Sequence, residues 1–192
     1  MNKIYLFKDQ EDYIKKLTND EIINIIGTKG SGKTTSSLKY IDNDDYIVIN
    51  CDRLFELPSD EKEDKNLVII REMLKKKYGN LNIDSDFTDC YDNIVEYILK
   101  QNKKGLIEGN VIQDINPKNL KGTIIIKRTG SYKSFKRAVK RDYQNKYFMN
   151  LEKEKHKYIY RITRLHKIKK RRKKIFKQAK EIENIIKKLE SN

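Results

Sequence analysis

The chain has 192 residues, of which 37% are hydrophobic and 37% charged, a length that suits one domain plus an appendage with its apolar residues concentrated in a few elements. Its net charge of +15 is uneven: residues 151–192 hold 16 Lys/Arg and 5 Asp/Glu, against 27 and 23 in residues 1–150, so the basic character belongs to the tail. Cys51 and Cys90 form no C-x-x-C pattern, no signal-like apolar core opens the chain, and no run nears the ~20 apolar residues of a membrane span; this argues against a disulfide scaffold or a zinc site, and a cytoplasmic protein is expected.

In chain order, Ile4-Tyr5-Leu6-Phe7 reads as an extra edge strand and Asp9 to Leu17 as a short helix. Glu21 to Ile26 is a β-branched run of the kind that forms a buried strand. It leads into Gly27-Thr28-Lys29-Gly30-Ser31-Gly32-Lys33-Thr34, which satisfies G-x-x-x-x-G-K-[ST], the phosphate-binding P-loop. Thr34-Thr35 to Tyr40 then continues as a helix.

Strand, glycine loop and helix in that order meet the chemical requirement. Gly27, Gly30 and Gly32 can take backbone angles closed to residues with a Cβ and let the main chain approach a phosphate. Successive N–H groups from Thr28 to Thr35 line an anion-sized nest, with Lys29 and Ser31 between the glycines. Lys33 reaches the β- and γ-phosphates in such loops, and the hydroxyl at Thr34 ligates Mg²⁺. The bland alternative is a glycine-rich turn that matches by chance.

Tyr46 to Asn50 is a second strand, with Asp52 and Arg53 just past its end. Residues 58–64 are polar and loop-like. Asn66 to Tyr78 and Asp89 to Gln101 carry apolar residues at helical spacing, each followed by glycine. Leu106-Ile107-Glu108-Gly109 is a third strand running into an acidic tip, and Gly122 to Lys127 a fourth. Strands alternating with helices predict an α/β fold: a mostly parallel sheet covered on both faces, a three-layer α/β/α arrangement. Ligands bind beyond the carboxyl ends of such strands, which directs attention to Asp52, Glu108 and Arg128. Asp52 has a second reading, as a cap of the next helix.

Beyond Arg128, Lys133, Arg137 and Arg141 recur every four residues and form one cationic face on a helix, either a phosphate clamp or a solvated surface. From Leu151 onward there is neither glycine nor proline, and a long basic helix is predicted. Leu165, Ile168, Arg172, Ile175, Ala179, Ile182, Ile186 and Leu189 alternate by three and four, a stripe that either pairs two copies in a homodimer or packs on the chain's own core. Lys167 to Lys174 has cations at every position but Ile168, which makes nucleic acid or another polyanion a possible partner; anionic membrane and plain solvent compete. The organisation expected is a nucleotide-binding domain over 1–150 and a basic helical extension over 151–192.

The P-loop, the acidic residue past the second strand and R-x-x-x-R after the fourth resemble the P-loop kinases of small molecules, including the nucleoside monophosphate kinase-like and zeta-toxin-like groups. The resemblance covers roughly residues 20–145. It implies an ATP- and Mg²⁺-dependent phosphotransferase with a small-molecule or nucleotide acceptor. It also implies that Asp52 helps the acceptor attack, that Arg137 and Arg141 hold the donor's phosphates, and that Glu108 helps position metal or substrate. Lys29 departs from the proline usual in adenylate-kinase-like loops, and no strand is readable after residue 145. Two rival readings remain: an ATPase that handles nucleic acid, and a nucleotide-binding module acting through the tail. Motor-type ATPases end a long apolar strand in Asp-Glu, whereas here only Leu106-Ile107 precede Glu108.

Overall fold

A computed structural model describes residues 3–7, 14, 20–54, 65–79, 87–127, 129–144 and 157–190, with the backbone alone at 7, 141–144, 157–165 and 188–190. Its strands are β1 (Ile4–Phe7), β2 (Ile22–Gly27), β3 (Tyr46–Asn50), β4 (Lys104–Glu108) and β5 (Thr123–Lys127). Its helices are α1 (Lys33–Ser37), α2 (Cys51–Leu54), α3 (Lys65–Tyr78), α4 (Phe87–Lys100), α5 (Ser131–Gln144) and α6 (Lys157–Glu190). The expected helix from Asp9 to Leu17 and the polar stretch 58–64 lie outside the described residues, apart from Ile14.

The five strands form one parallel sheet in the order β1-β5-β2-β4-β3. Every residue of β2 and β5 is buried, the near-continuous apolar signature of strands covered on both faces. The N-terminal strand joins the edge beside β5, with Phe7 in register with Lys127. That edge strand supplies a fifth strand from the start of the chain, where none is readable after residue 145.

Parallel neighbours need crossovers, and these decide where the chain's chemistry falls. From β2 the chain skips one place to β3, returns to β4, then passes to the other side of β2 as β5. The direction of winding thus reverses at β2, and the crevice at such a reversal is where α/β sheets bind ligands.

The centre of the sheet is fixed by a buried polar cluster. Asn24, wholly buried in β2, donates to the Lys121 carbonyl at 2.7 Å and accepts from the Tyr91 hydroxyl at 3.0 Å. The same hydroxyl accepts from the Lys121 amide at 2.9 Å. One α4 tyrosine therefore ties two segments together inside an apolar core.

The chain divides into two compact units: residues 1–26 with 32–127, and residues 27–31 with 128–192. The second contains α5 and α6. On α6 the buried residues are Ile175, Gln178, Ile182 and Ile186, which share one face, so this part of the expected stripe is covered within the chain itself. Arg172 belongs to the sequence stripe but is exposed, and Gln178 takes the inward place. The side chains of Leu165 and Leu189 lie outside the description.

Replacing Tyr91 by Phe should destabilise the protein by about 1–3 kcal/mol, because it leaves buried polar groups at Asn24 and Lys121 short of a partner. Urea unfolding of Tyr91→Phe measures this, and a loss below about 0.5 kcal/mol would mean the cluster relaxes around the missing hydroxyl.

Candidate functional site

Three parallel strands deliver polar residues to one end of the sheet. Asn50 ends β3 and Glu108 ends β4, and the two are in register, with Glu108 also level with Ile25 of β2. Lys127 ends β5. The α1 helix begins with Lys33, directly after the glycine loop.

Glu108 and Thr34 meet here. The Thr34 hydroxyl donates to Glu108 Oε1 at 2.8 Å, and Glu108 is 1% exposed. Lys33 is also buried, and its ammonium donates to Asn110 Oδ1 at 3.5 Å. Burial pushes the Glu108 carboxyl above the usual glutamate range, and the nearby Asp52 adds to it; the Lys33 charge and the Thr34 hydrogen bond act the other way. Burial outweighs them.

Asp52 sits in the first turn of α2. Its Oδ1 accepts from the Asn110 amide at 2.7 Å and from the Val111 amide at 3.4 Å, and its Oδ2 accepts from Asn110 Nδ2 at 2.7 Å. The carboxylate therefore clamps the turn after β4 and not, as a cap would, the amides of its own helix. Through Asn110 it is one residue removed from Lys33. Arg53 follows, its carbonyl accepting from Arg71 Nη2 at 2.8 Å.

Lys127 was not singled out from the sequence, where attention falls on Arg128 just beyond. The Lys127 ammonium is buried and donates to the Gly32 carbonyl at 3.3 Å and to Ser36 Oγ at 2.8 Å. It braces the start of α1. The signal was present: a lysine closing a strand buried on both faces must reach acceptors there. Gly32 stands at φ +87, which favours glycine, and a Cβ on it would lie 3.3 Å from that ammonium, a tight contact.

The first half of the loop has its own surroundings in the second unit. Thr28 Oγ1 and Ser134 Oγ share a hydrogen bond of 2.9 Å, and the Lys29 amide donates to Gln178 Oε1 at 3.3 Å. Gly30, at φ +86, lies against the Ser134 carbonyl so closely that a Cβ would collide with it. The Ser31 hydroxyl is buried without a hydrogen-bond partner. Of the cationic residues foreseen, Arg137 is half-buried on α5, Arg141 lies on the same helix with its side chain outside the description, and Arg128 is outside the described residues. Thr35 is exposed on α1, whose five residues give way to a short turn at Leu38–Tyr40 where one continuous helix was expected.

The donor set fits a magnesium nucleotide. Mg²⁺ favours oxygen ligands and is commonly held by one or two carboxylates together with substrate phosphates. Among the described residues no group of three or more His, Cys, Asp or Glu forms a metal cage, so the Thr34 hydroxyl and Glu108 are the oxygens on hand. The orphaned Ser31 hydroxyl and the glycine cradle at Gly32 fit an anion that brings its own acceptors. Cys51, beside this site, is a neutral thiol: burial first, then Glu108, pushes it well up. No protein-family model and no curated protein matches the chain.

The raised Glu108 pKa has a sign. In the unliganded protein its folded value lies above the ordinary 4.5, so folding is favoured below that pH and loses this contribution as pH rises through the folded value. Glu108→Gln should therefore gain stability relative to the parent between pH 4.5 and neutrality, with little difference below. Melting temperatures of both across that range measure it, and a gap that stays constant would show that Glu108 is not strained by its burial. Lys127→Met keeps the length and removes the donor. It should cost about 1–3 kcal/mol in urea unfolding, since Gly32 and Ser36 lose a charged partner. An unchanged midpoint would reduce Lys127 to a space filler.

Proposed function

We propose that this chain is a nucleoside triphosphate- and Mg²⁺-dependent phosphotransferase acting on a small-molecule or nucleotide acceptor, with ATP the expected donor. The observation that carries the reading is the 2.8 Å bond from the P-loop hydroxyl of Thr34 to the buried strand-end carboxylate of Glu108. It brings the two oxygens a phosphate-bound metal needs to one point, beside the buried Lys33 ammonium.

In this reading Lys33 and the loop amides of residues 27–34 grip the β- and γ-phosphates, and Thr34 with Glu108 holds the metal. The metal, when bound, neutralises charge on the bridging and terminal phosphate oxygens. An acceptor oxygen forms a bond to the γ-phosphorus while the β–γ bridging oxygen departs with the electron pair, and the acceptor's proton passes to water. Asp52 orients the acceptor. A carboxylate offers about four lone-pair sites, and three are engaged by residues 110 and 111, so its contribution is alignment of one further hydroxyl. Arg137 and Arg141 of α5 are the proposed clamp on the transferred group.

A second reading, hydrolysis stimulated by nucleic acid, draws on one feature: α6 carries no acid from Lys157 to Lys180 among many cations. Against it, Glu108 is engaged with Thr34, and Gly109 follows where a second carboxylate would serve a water-activating site.

Magnesium ATP should raise the melting temperature of the parent and leave Lys33→Ala unmoved; no stabilisation by any magnesium nucleoside triphosphate overturns nucleotide binding. ADP release should rise with an acceptor drawn from nucleosides, nucleoside monophosphates, sugars and 5′-hydroxyl oligonucleotides, and collapse in Asp52→Asn while nucleotide still binds. Arg137→Ala should depress turnover about a hundredfold or more with nucleotide affinity nearly intact, since such a group acts on charge that develops during transfer. Release indifferent to every small acceptor but stimulated by polynucleotide moves the assignment to the ATPase.

A further inference from the structure

We propose that the exposed face of α6 from Lys169 to Lys180 is a binding surface for single-stranded nucleic acid, independent of whether the P-loop transfers or hydrolyses phosphate. The structure decides which face is outward. Ile175, Gln178, Ile182 and Ile186 are 0–9% exposed and share the inner side. Lys169, Lys170, Arg172, Lys173, Lys174, Lys177 and Lys180 are all exposed. They occupy about 17 Å of helix at 1.5 Å per residue, long enough to follow several phosphates. Charge cancellation within this face is slight. Residues 155–180 contain no acid, and the described ion pair is Lys177 with Glu181 at 3.6 Å, both well exposed and so weakly coupled.

An aromatic ring stands among these cations. Phe176 is 40% exposed, and the Arg172 guanidinium lies 5.4 Å from its ring centre. Together with His166, Lys169, Lys170 and Lys173 they line a hollow of about 570 Å³, large enough to admit a base. The same unit carries a second such pair on α5, where Tyr132 is 59% exposed with the Lys136 ammonium 4.7 Å from its ring centre. Cations that track phosphates and aromatic faces that stack bases are the two components of single-strand recognition.

Other polyanions fit less well. A helix lying on an anionic membrane needs a free apolar face, and along this stretch Ile175, Ile182 and Ile186 are already buried in the chain. A duplex hides its base faces and would use the lysines alone, leaving Phe176 without purpose. An acidic polypeptide likewise gives an exposed ring nothing to stack upon.

Fluorescence anisotropy with a labelled oligothymidylate of about 16 nucleotides, the upper end of a single-strand site, tests this on the full chain. Affinity should fall steeply between about 50 and 200 mM salt. In the triple variant Lys169→Gln, Lys170→Gln, Lys173→Gln the slope of log K against log salt should shrink by about 2, at ~0.7 per phosphate contact on single strands. Phe176→Ala should weaken binding about tenfold with the slope unchanged, the signature of a lost stacking face rather than a lost charge. The substituted residues are exposed, and circular dichroism with an unchanged melting temperature shows that each variant is folded. Three results overturn the proposal: an unchanged slope in the triple variant, an unchanged affinity in Phe176→Ala, or equal binding to a duplex, phosphatidylserine vesicles or polyglutamate.

Discussion

The burial of β2 on both faces, between β4 and β5, is the constraint on which the rest of the sheet unit depends. A strand so placed satisfies its backbone through its neighbours, and parallel pairing sends every carboxyl end to the same edge. Gly27, Asn50, Glu108 and Lys127 are the last residues of four strands, and they come to one edge because no other edge is open to them. The polar cluster there is a consequence of topology before it is chemistry. Asn24, deep in the same strand, resists slippage, since a shift of register would strand its amide away from Tyr91 and Lys121.

That edge is electrostatically expensive. Lys33, Glu108 and Lys127 are each no more than 6% exposed, and charges so buried cost stability unless they are paired. Each of the three hydrogen-bonds a neutral group: Lys33 the Asn110 side chain, Glu108 a hydroxyl, Lys127 a hydroxyl and a carbonyl. A core chosen for stability alone would have placed apolar residues there.

The strands and the main helices were legible because their signals are local and periodic. Tyr46–Asn50 was bounded as the structure has it, and the helices read at 66–78 and 89–101 are α3 at Lys65–Tyr78 and α4 at Phe87–Lys100. The P-loop spelling located Lys33 and Thr34, and the strand-end rule located Glu108. What escaped is long-range. Asp52 was read as a cap or a catalytic group from its place after a strand, but its partners are Asn110 and Val111, nearly sixty residues on, and nothing in the sequence near Asp52 announces them. Attention falls on Arg128 and not Lys127 because the strand-end rule points just past the strand; the side chain that reaches back to Gly32 is set by strand register, which composition does not encode. The short α1 has a local cause: Thr34, Thr35, Ser36 and Ser37 are poor helix formers, and α1 gives way after five residues.

The long C-terminal helix shows which residues of an apolar stripe the chain itself covers. A heptad pattern can serve a second copy or the chain itself, and the two differ in which residues are covered. Ile175, Ile182 and Ile186 are covered with Gln178 between them, while Arg172, a member of the sequence stripe, stands outside. In this chain Gln178 accepts from the Lys29 amide in the glycine loop, so the inward face of α6 ends its polar need on that loop. The opposite face is then left with its lysines in water. A helix that gives one side to the loop keeps the other cationic, and those cations take no part in that packing.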